Sequence, residues 1–406
     1  METIEATFRI VTPMFLGGAD PKQASDGIRP PSVKGALRFW WRALNWGRFR
    51  GESGADDSSA LRALHAEEGR LFGLAADPGG GGGQGCFLLR VKHQTLRTTA
   101  QGMVHTDFAA KDAARYLGYG LMVAFSSTDG TKRAGQLDRG CIDQGQEFTL
   151  TLVFRETVDE SVKEALIAFG LVGGLGSRSR RGMGSISLIT LQKDRLIIWT
   201  APINTDDYHK KIQELTAKLT CAANEPPFSA LWKNARIDRL LSSGDCFTAL
   251  NEFGRAMLMY RSWGRSSRGG GSTVLRAPSE QRFKDDHDWY RVSGWATRKA
   301  NFHPERVAFG LPHNYHKDHH HVTAEAHERR SSPLLFHVHF LANNKFLGIA
   351  IYLPSLFLPA GEQIVANGVS VPNAVSWTVI KEFLDGTTVY PPSVTKRFPA
   401  RQGLLP

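Results

Sequence analysis

The chain has 406 residues, 41% of them hydrophobic and 10% aromatic, which is material for two cores of roughly 200 residues each. No apolar run reaches the ~18 residues a membrane span needs, and the opening METIEATFRI lacks the basic-then-apolar pattern of a signal peptide, so a cytoplasmic protein with no membrane partner is expected. The net charge is +11, yet fourteen Lys and Arg residues crowd into three acid-free stretches, 28–50, 176–184 and 255–276, leaving the remainder close to balance. Thirteen of the fourteen are arginine, whose planar fork matches phosphate and stacks on bases. Charge concentrated in this way points to a polyanion. Cys86, Cys141, Cys221 and Cys246 are far apart and form no CxxC pair, so neither a disulfide framework nor a zinc module is expected, and no metal or cofactor.

Residues 2–11 alternate as a strand, with Ile4, Ala6, Phe8 and Ile10 on one face. After a Gly/Pro-rich connection, Ser32 is expected to cap a helix over 33–46. Leu37, Trp40, Trp41 and Leu44 give that helix a buried face, which assigns both tryptophans to the core. Lys34, Arg38 and Arg42 recur every four residues on another face. A second helix is expected over 58–72, then a turn at PGGGGGQG (78–85), which is no phosphate loop because no Lys-Ser/Thr follows it. Strands are expected at 86–92 and 147–154, separated by a long insertion, 93–146. Asp159 then precedes a helix carrying Val162, Ala165, Leu166 and Phe169, followed by a strand at 186–191. The order strand, helix, strand, strand, helix, strand is the ferredoxin-like signature and defines a domain over 1–195. Beyond it, 196–406 reads as a second, decorated α+β domain. Helices are expected at 206–220 and 246–263, strands at 334–340 and 346–353, a helix near 374–385 and a loose tail.

The helix-to-strand junction Gly174-Leu175-Gly176-Ser177-Arg178-Ser179-Arg180-Arg181-Gly182-Met183-Gly184 is the most specific feature of the chain. Glycines at such a turn permit positive φ and close backbone approach, and three arginines among them suit consecutive phosphates. The Lys34, Arg38 and Arg42 strip would extend that path from the helix start at Ser32. A third cluster, Tyr260-Arg261-Ser262-Trp263-Gly264-Arg265-Ser266-Ser267-Arg268-Gly269-Gly270-Gly271, mixes aromatics, arginines and glycines as single-stranded RNA binders do. A linker and a subunit contact are its other readings. The expected RNA-binding set is therefore Ser32, Lys34, Arg38, Arg42, Gly174, Gly176, Arg178, Arg180, Arg181, Gly182, Arg261, Arg265 and Arg268.

The glycine-rich segment resembles the loop of the RAMP superfamily, the repeat-associated RNA-binding proteins of CRISPR systems. Thr12-Pro13-Met14-Phe15-Leu16-Gly17-Gly18 with Ile28-Arg29-Pro30-Pro31-Ser32-Val33-Lys34-Gly35-Ala36-Leu37-Arg38-Phe39-Trp40-Trp41-Arg42-Ala43 is similar to the start of the first-subunit family of the Cmr complex, the type III-B effector. Phe309-Gly310-Leu311-Pro312 and Arg330-Ser331-Ser332-Pro333-Leu334 are similar to that family's C-terminal domain. The resemblance implies two tandem ferredoxin-like domains in an α+β chain. It also implies a place near the 3′ end of the guide, with guide RNA, target single-stranded RNA and other Cmr subunits, chiefly the backbone and adjacent RAMP subunits, as partners. Base pairing would then read sequence while the protein holds backbone.

Catalysis by this chain is not expected. A metal-independent RNase of the same superfamily would place a histidine as general base on the 2′-hydroxyl, yet 33–46 and 170–190 contain no histidine. His65, His93 and His105 remain as candidates in the first domain, and Asp20 or Asp26 as a loop aspartate, which is a turn residue on the plainer reading. His313, His316, His319, His320, His321 and His327 crowd a second-domain loop whose spacing matches no standard metal module.

Overall fold

The computed structural model describes residues 1–18, 20, 27–52, 56–75, 82–217, 219–220, 222, 224–262, 279–280, 282–291, 302–315, 320–327, 329–386 and 397–405. The chain opens on β1 (Thr3–Ile10), whose Ile4, Ala6, Phe8 and Ile10 are fully buried, as the alternation dictates. Helix α1 (Pro30–Glu52) begins two residues before the expected cap. Pro30, with φ preset for the first turn, starts it, and the amides of Ser32 and Val33 donate to the Arg29 carbonyl. Ser32 therefore lies inside the first turn and is not the cap. Helix α2 (Asp57–Phe72) follows, capped by Asp56, whose side chain accepts from the Ser59 amide. Strand β2 (Phe87–His93) leads into the insertion, which is ordered as β3 (Thr98–Thr99), α3 (Thr106–Ala109), α4 (Asp112–Leu117) and β4 (Cys141–Ile142).

Strand β5 (Glu147–Phe154), helix α5 (Glu160–Val172), strands β6 (Ile186–Lys193) and β7 (Leu196–Thr200), and helix α6 (Thr205–Thr216) complete the first unit. Its five antiparallel strands run in the order β2-β5-β1-β6-β7. The first sheet thus continues past the boundary expected at 195, because β7 hairpins back onto β6. Trp40 and Trp41 are core residues, and the Trp41 indole donates to Ser161 Oγ at 2.8 Å, joining α1 to α5.

The second unit repeats this plan: β8 (Arg236–Ser243), α7 (Cys246–Arg261), α8 (Lys284–Arg291), the short strands β9 (His313–Tyr315) and β10 (His320–Ala324), β11 (Leu334–Phe340), β12 (Phe346–Tyr352), β13 (Ile364–Ala366), β14 (Val369–Val371), α9 (Thr378–Asp385) and β15 (Gln402–Gly403). Its main sheet is ordered β11-β12-β8-β15, and β14-β13-β10-β9 make a separate small sheet. Numbering the main strands within each unit, both sheets read second, third, first, fourth. β8 and β15 were not expected from the sequence.

The units share one core. A continuous cluster of buried side chains runs from Ile4, Phe8 and Trp41 to Leu347, Ile349 and Ile351 of the second sheet. At the seam, edge strand β11 packs on β6, and its outward amides at alternate residues all find acceptors. Phe336 donates to the Arg180 carbonyl at 3.0 Å, Val338 to Ser185 Oγ at 3.1 Å and Phe340 to Ser187 Oγ at 2.8 Å. His337 and His339, both buried, lie in the same seam, and His339 Nδ1 is 3.3 Å from Ser187 Oγ.

Burial pushes the His337 imidazole from 6.5 down to about 3 and moves His339 the same way. Below pH 6.5 the unfolded chain takes up protons that the folded seam refuses, so stability falls with pH over the window from 6.5 to about 3. The expected slope from His337 is up to about 1.4 kcal/mol per pH unit. Thermal melts between pH 7 and pH 4.5 are expected to fall less steeply for His337→Gln than for the natural chain; identical slopes would show that His337 is not what titrates.

Candidate nucleic-acid interface

The glycine-rich loop folds onto its own chain before it can meet a ligand. Gly184 has φ 62°, and a Cβ there would lie 2.0 Å from the Leu175 carbonyl oxygen, so only glycine closes the loop at that point. Thr12 Oγ1 donates to the Gly182 carbonyl at 2.7 Å and accepts from the Ser185 amide at 2.8 Å. Gly174 pairs with Ser185, Gly176 lies against Phe15, and Gly182 lies against Leu250 of α7. These three expected RNA-binding glycines are thus packed on protein.

The loop's arginines divide by role. Arg180 is structural: its guanidinium stacks over Phe39 of α1 at 5.1 Å and donates to the Ser332 carbonyl at 2.9 Å. Burial, then the charge of Arg330, pushes it down to about 10. Arg178 is exposed, held at φ 62° at the loop's turn, and Nε donates to the Tyr119 carbonyl at 3.0 Å. Partial burial and the charges of Arg329 and Arg139 lower its pKa. Arg181 is lowered to about 10, by burial and then by Arg261. Arg261, at the end of α7, lies over the Phe309 ring at 4.9 Å and donates to Tyr116 Oη at 3.2 Å.

Arg178, Arg181 and Arg261 therefore converge with Arg139 and Arg329, drawn from both units. No carboxylate forms an ion pair with any of these five among the described residues. Guanidinium groups this close repel one another, and partial burial raises the cost, so the arrangement favours an anion that would relieve both. Tyr119, 67% exposed, stands beside Arg178 as an open aromatic face.

The strip on α1 faces elsewhere. Arg38 Nε and Arg42 Nη1 donate to the buried Glu68 carboxylate at 2.5 and 2.7 Å, and Lys34 Nζ donates to the Phe72 carbonyl at 2.9 Å. These cations lock α1 to α2, and the expected continuation of the loop's positive path along α1 is not what the geometry provides. With the cap also moved, Ser32 presents no free helix start. Arg265 and Arg268 lie outside the described residues.

Tyr116, Tyr119, Arg139, His313 and Arg329 were not expected at the site. The first three come from the insertion, which carried no motif; Arg329 is next to the Arg330-Ser331-Ser332 segment. Of the catalytic candidates, His65 is exposed on α2, and His93 is exposed at the end of β2. His105 is 7% exposed and packs on Phe108 and Phe247. Asp26 falls outside the described residues. His313 is the one histidine placed at the cluster among the described residues. Burial and the charges of Arg261, Arg306 and Arg181 push it well below 6.5, and Arg261 Nη2 lies 3.4 Å from its Nε2.

A sequence profile of the RAMP superfamily matches residues 7–187, from β1 through the glycine-rich loop into β6. That match places the RAMP superfamily's pattern in the first half of the chain. The chain is 25% identical over 198 residues to the CRISPR system Cmr subunit Cmr1-2 of Pyrococcus furiosus, covering 47% of the chain and 97% of the relative. Its fold matches the crystal structure of Cmr1 from Pyrococcus furiosus in its apo form. That match has a TM-score of 0.56 at 16% identity and covers 100% of this chain and 99% of the other. A chain of the type III-B Cmr-beta complex bound to cognate target RNA aligns over 94% of this chain and 98% of its own, with a TM-score of 0.47 and 11% identity.

The division of the loop predicts separable variants. Arg178→Ala with Arg181→Ala is expected to leave the melting temperature nearly unchanged. The same pair should weaken single-stranded RNA binding and flatten its log–log salt slope by about 0.7 for each phosphate no longer neutralised. Arg180→Ala is expected instead to cost about 1–3 kcal/mol of stability, since the Ser332 carbonyl loses its donor. Anisotropy titrations at several salt concentrations, with melts of the same proteins, check both.

Proposed function

We propose that the chain is a non-catalytic, RNA-binding subunit of a type III-B Cmr RNA-guided effector complex in antiviral defence. In this reading its two units are tandem ferredoxin-like domains divided near the end of β7. They hold guide and target RNA by the backbone near the guide's 3′ end, and the chain docks on the backbone and adjacent RAMP subunits. The observation that carries the reading is the convergence of Arg178, Arg181 and Arg261 where the two units meet, with no acidic partner among the described residues. The kinship with a Cmr subunit supports the choice of complex. Assembly is supported by β7, an edge strand exposing Leu196, Ile197 and Ile198, an apolar rim of the kind that recruits a neighbour.

A second reading, a metal-independent endoribonuclease using a histidine, draws on His313 alone. A neutral imidazole among arginines is the chemistry a general base for the 2′-hydroxyl requires. Against it, Arg261 occupies the position from which the base would take its proton. Incubating the full chain with labelled single-stranded RNA, with and without divalent metal, separates the readings. Retention without cleavage is expected; cleavage lost in His313→Ala would replace the first reading with the second. Cross-linking of guide RNA in the assembled complex is expected to map to the Arg178–Arg181 turn and Arg261. Ile197→Lys is expected to impair incorporation into the complex while leaving RNA binding by the free chain intact.

A further inference from the structure

The insertion between β2 and β5 brings together three side chains that the RNA-binding reading does not use. Cys141 opens β4 and Asp143 follows directly after the strand. His105 immediately precedes α3, thirty-six residues earlier in sequence. The Cys141 sulfur, a carboxylate oxygen of Asp143 and a ring nitrogen of His105 all lie within 4.8 Å of one another. Cys141 is fully buried and His105 is 7% exposed, and His105 Nδ1 has no hydrogen-bond partner. It sits 4.0 Å from the Asp107 carboxylate, too far for a hydrogen bond. Leaving a buried nitrogen unpaired costs about 1–3 kcal/mol. A cavity of ≈ 240 Å³, lined by His105, Asp107, Asp143, Thr99 and Gln144, opens beside these groups.

We propose that His105, Cys141 and Asp143 form a binding site for a Zn²⁺-class ion. One thiolate, one imidazole and one carboxylate suit a borderline-soft ion, whereas Mg²⁺ and Ca²⁺ take oxygen ligands. A tetrahedral ion with bonds of 2.0–2.3 Å draws such atoms to roughly 3.5 Å apart, so closure needs movements of about 1 Å. Coordination displaces the Cys141 thiol proton to solvent, takes up a ring nitrogen of His105, and leaves the fourth position to water in the cavity. Asp143 is already oriented, since its Oδ1 accepts from Thr99 Oγ1 at 2.7 Å, the kind of support that fixes a metal ligand. The spacing of the cysteines hid this set, because its histidine and its thiol belong to opposite ends of the insertion.

The ion would pin the start of α3 to the β3–β4 pair. That segment continues into α4, which packs on α7 through Gly254, where a Cβ would lie 1.9 Å from the Ala113 carbonyl oxygen. The same segment carries Tyr116 and Tyr119 to the arginine cluster.

Full-length protein stripped with a chelator and titrated with Co²⁺ is expected to show a thiolate-to-metal charge-transfer absorption saturating at one equivalent and displaced by Zn²⁺. Cys141→Ser and His105→Ala are each expected to abolish the band and weaken Zn²⁺ by more than about 10-fold, the loss of one of three protein ligands. Cys86→Ser, and His319, His320 and His321 changed together to Ala, are expected to retain it. No band in the natural chain, which needs no variant to fold, overturns the site. So does a band that survives Cys141→Ser, or metal binding lost only when the histidine run is removed.

Discussion

An edge strand packed against a second sheet has no water to take its outward amides, and β11 is such a strand. Three of its outward N–H groups are accepted in turn by the Arg180 carbonyl and the hydroxyls of Ser185 and Ser187. Ser185, just before β6, and Ser187 within it are two apart and meet Val338 and Phe340, also two apart. The register of one unit on the other is thus set by strand periodicity. The rest follows from it. The glycine-rich loop ends where this pairing begins, so fixing β11 on β6 also fixes the loop. Arg178 and Arg181 then stand beside Arg261 of the other unit.

The loop shows how one short segment serves two demands. Arg180, between Arg178 and Arg181, turns inward to Phe39 and the Ser332 carbonyl and is part of the seam. Its neighbours turn to the other arginines and are left with mutual repulsion. A cluster that bears such a cost with no acidic partner among the described residues is a site for a mobile anion. The cations of α1 are the contrasting case: Glu68 satisfies two of them, and their charge serves only to fasten two helices.

Much of the fold could be read from residue order. β1 and β5 were legible because their apolar residues alternate, and α5 because Asp159 is followed by a helical apolar face. β8 was not, although it is central to its sheet. It contains Arg236, Asp238 and Arg239, and Asp238 is buried at 2% exposure because Arg236 and Arg401 neutralise it. A strand held by an ion pair closed from 163 residues away looks like a polar loop in sequence. Similarly, nothing near Arg38 or Arg42 announces Glu68, 30 and 26 residues further on. The arginine cluster was legible as charge, at Arg178, Arg181 and Arg261. Arg139, Tyr116 and Arg329 join it only through the fold, and no local pattern marks them.

The core that passes unbroken from β1 and α1 to β12 also bears on how the protein can be divided. Either half on its own would expose the apolar face that the other covers, together with unsatisfied amides along β11 or bare serines along β6. Melting should accordingly be a single cooperative event, and a chain cut near its midpoint should aggregate or be degraded. Exchange of halves between distant relatives would fail for the same reason, unless the serine-to-amide spacing were carried across with them.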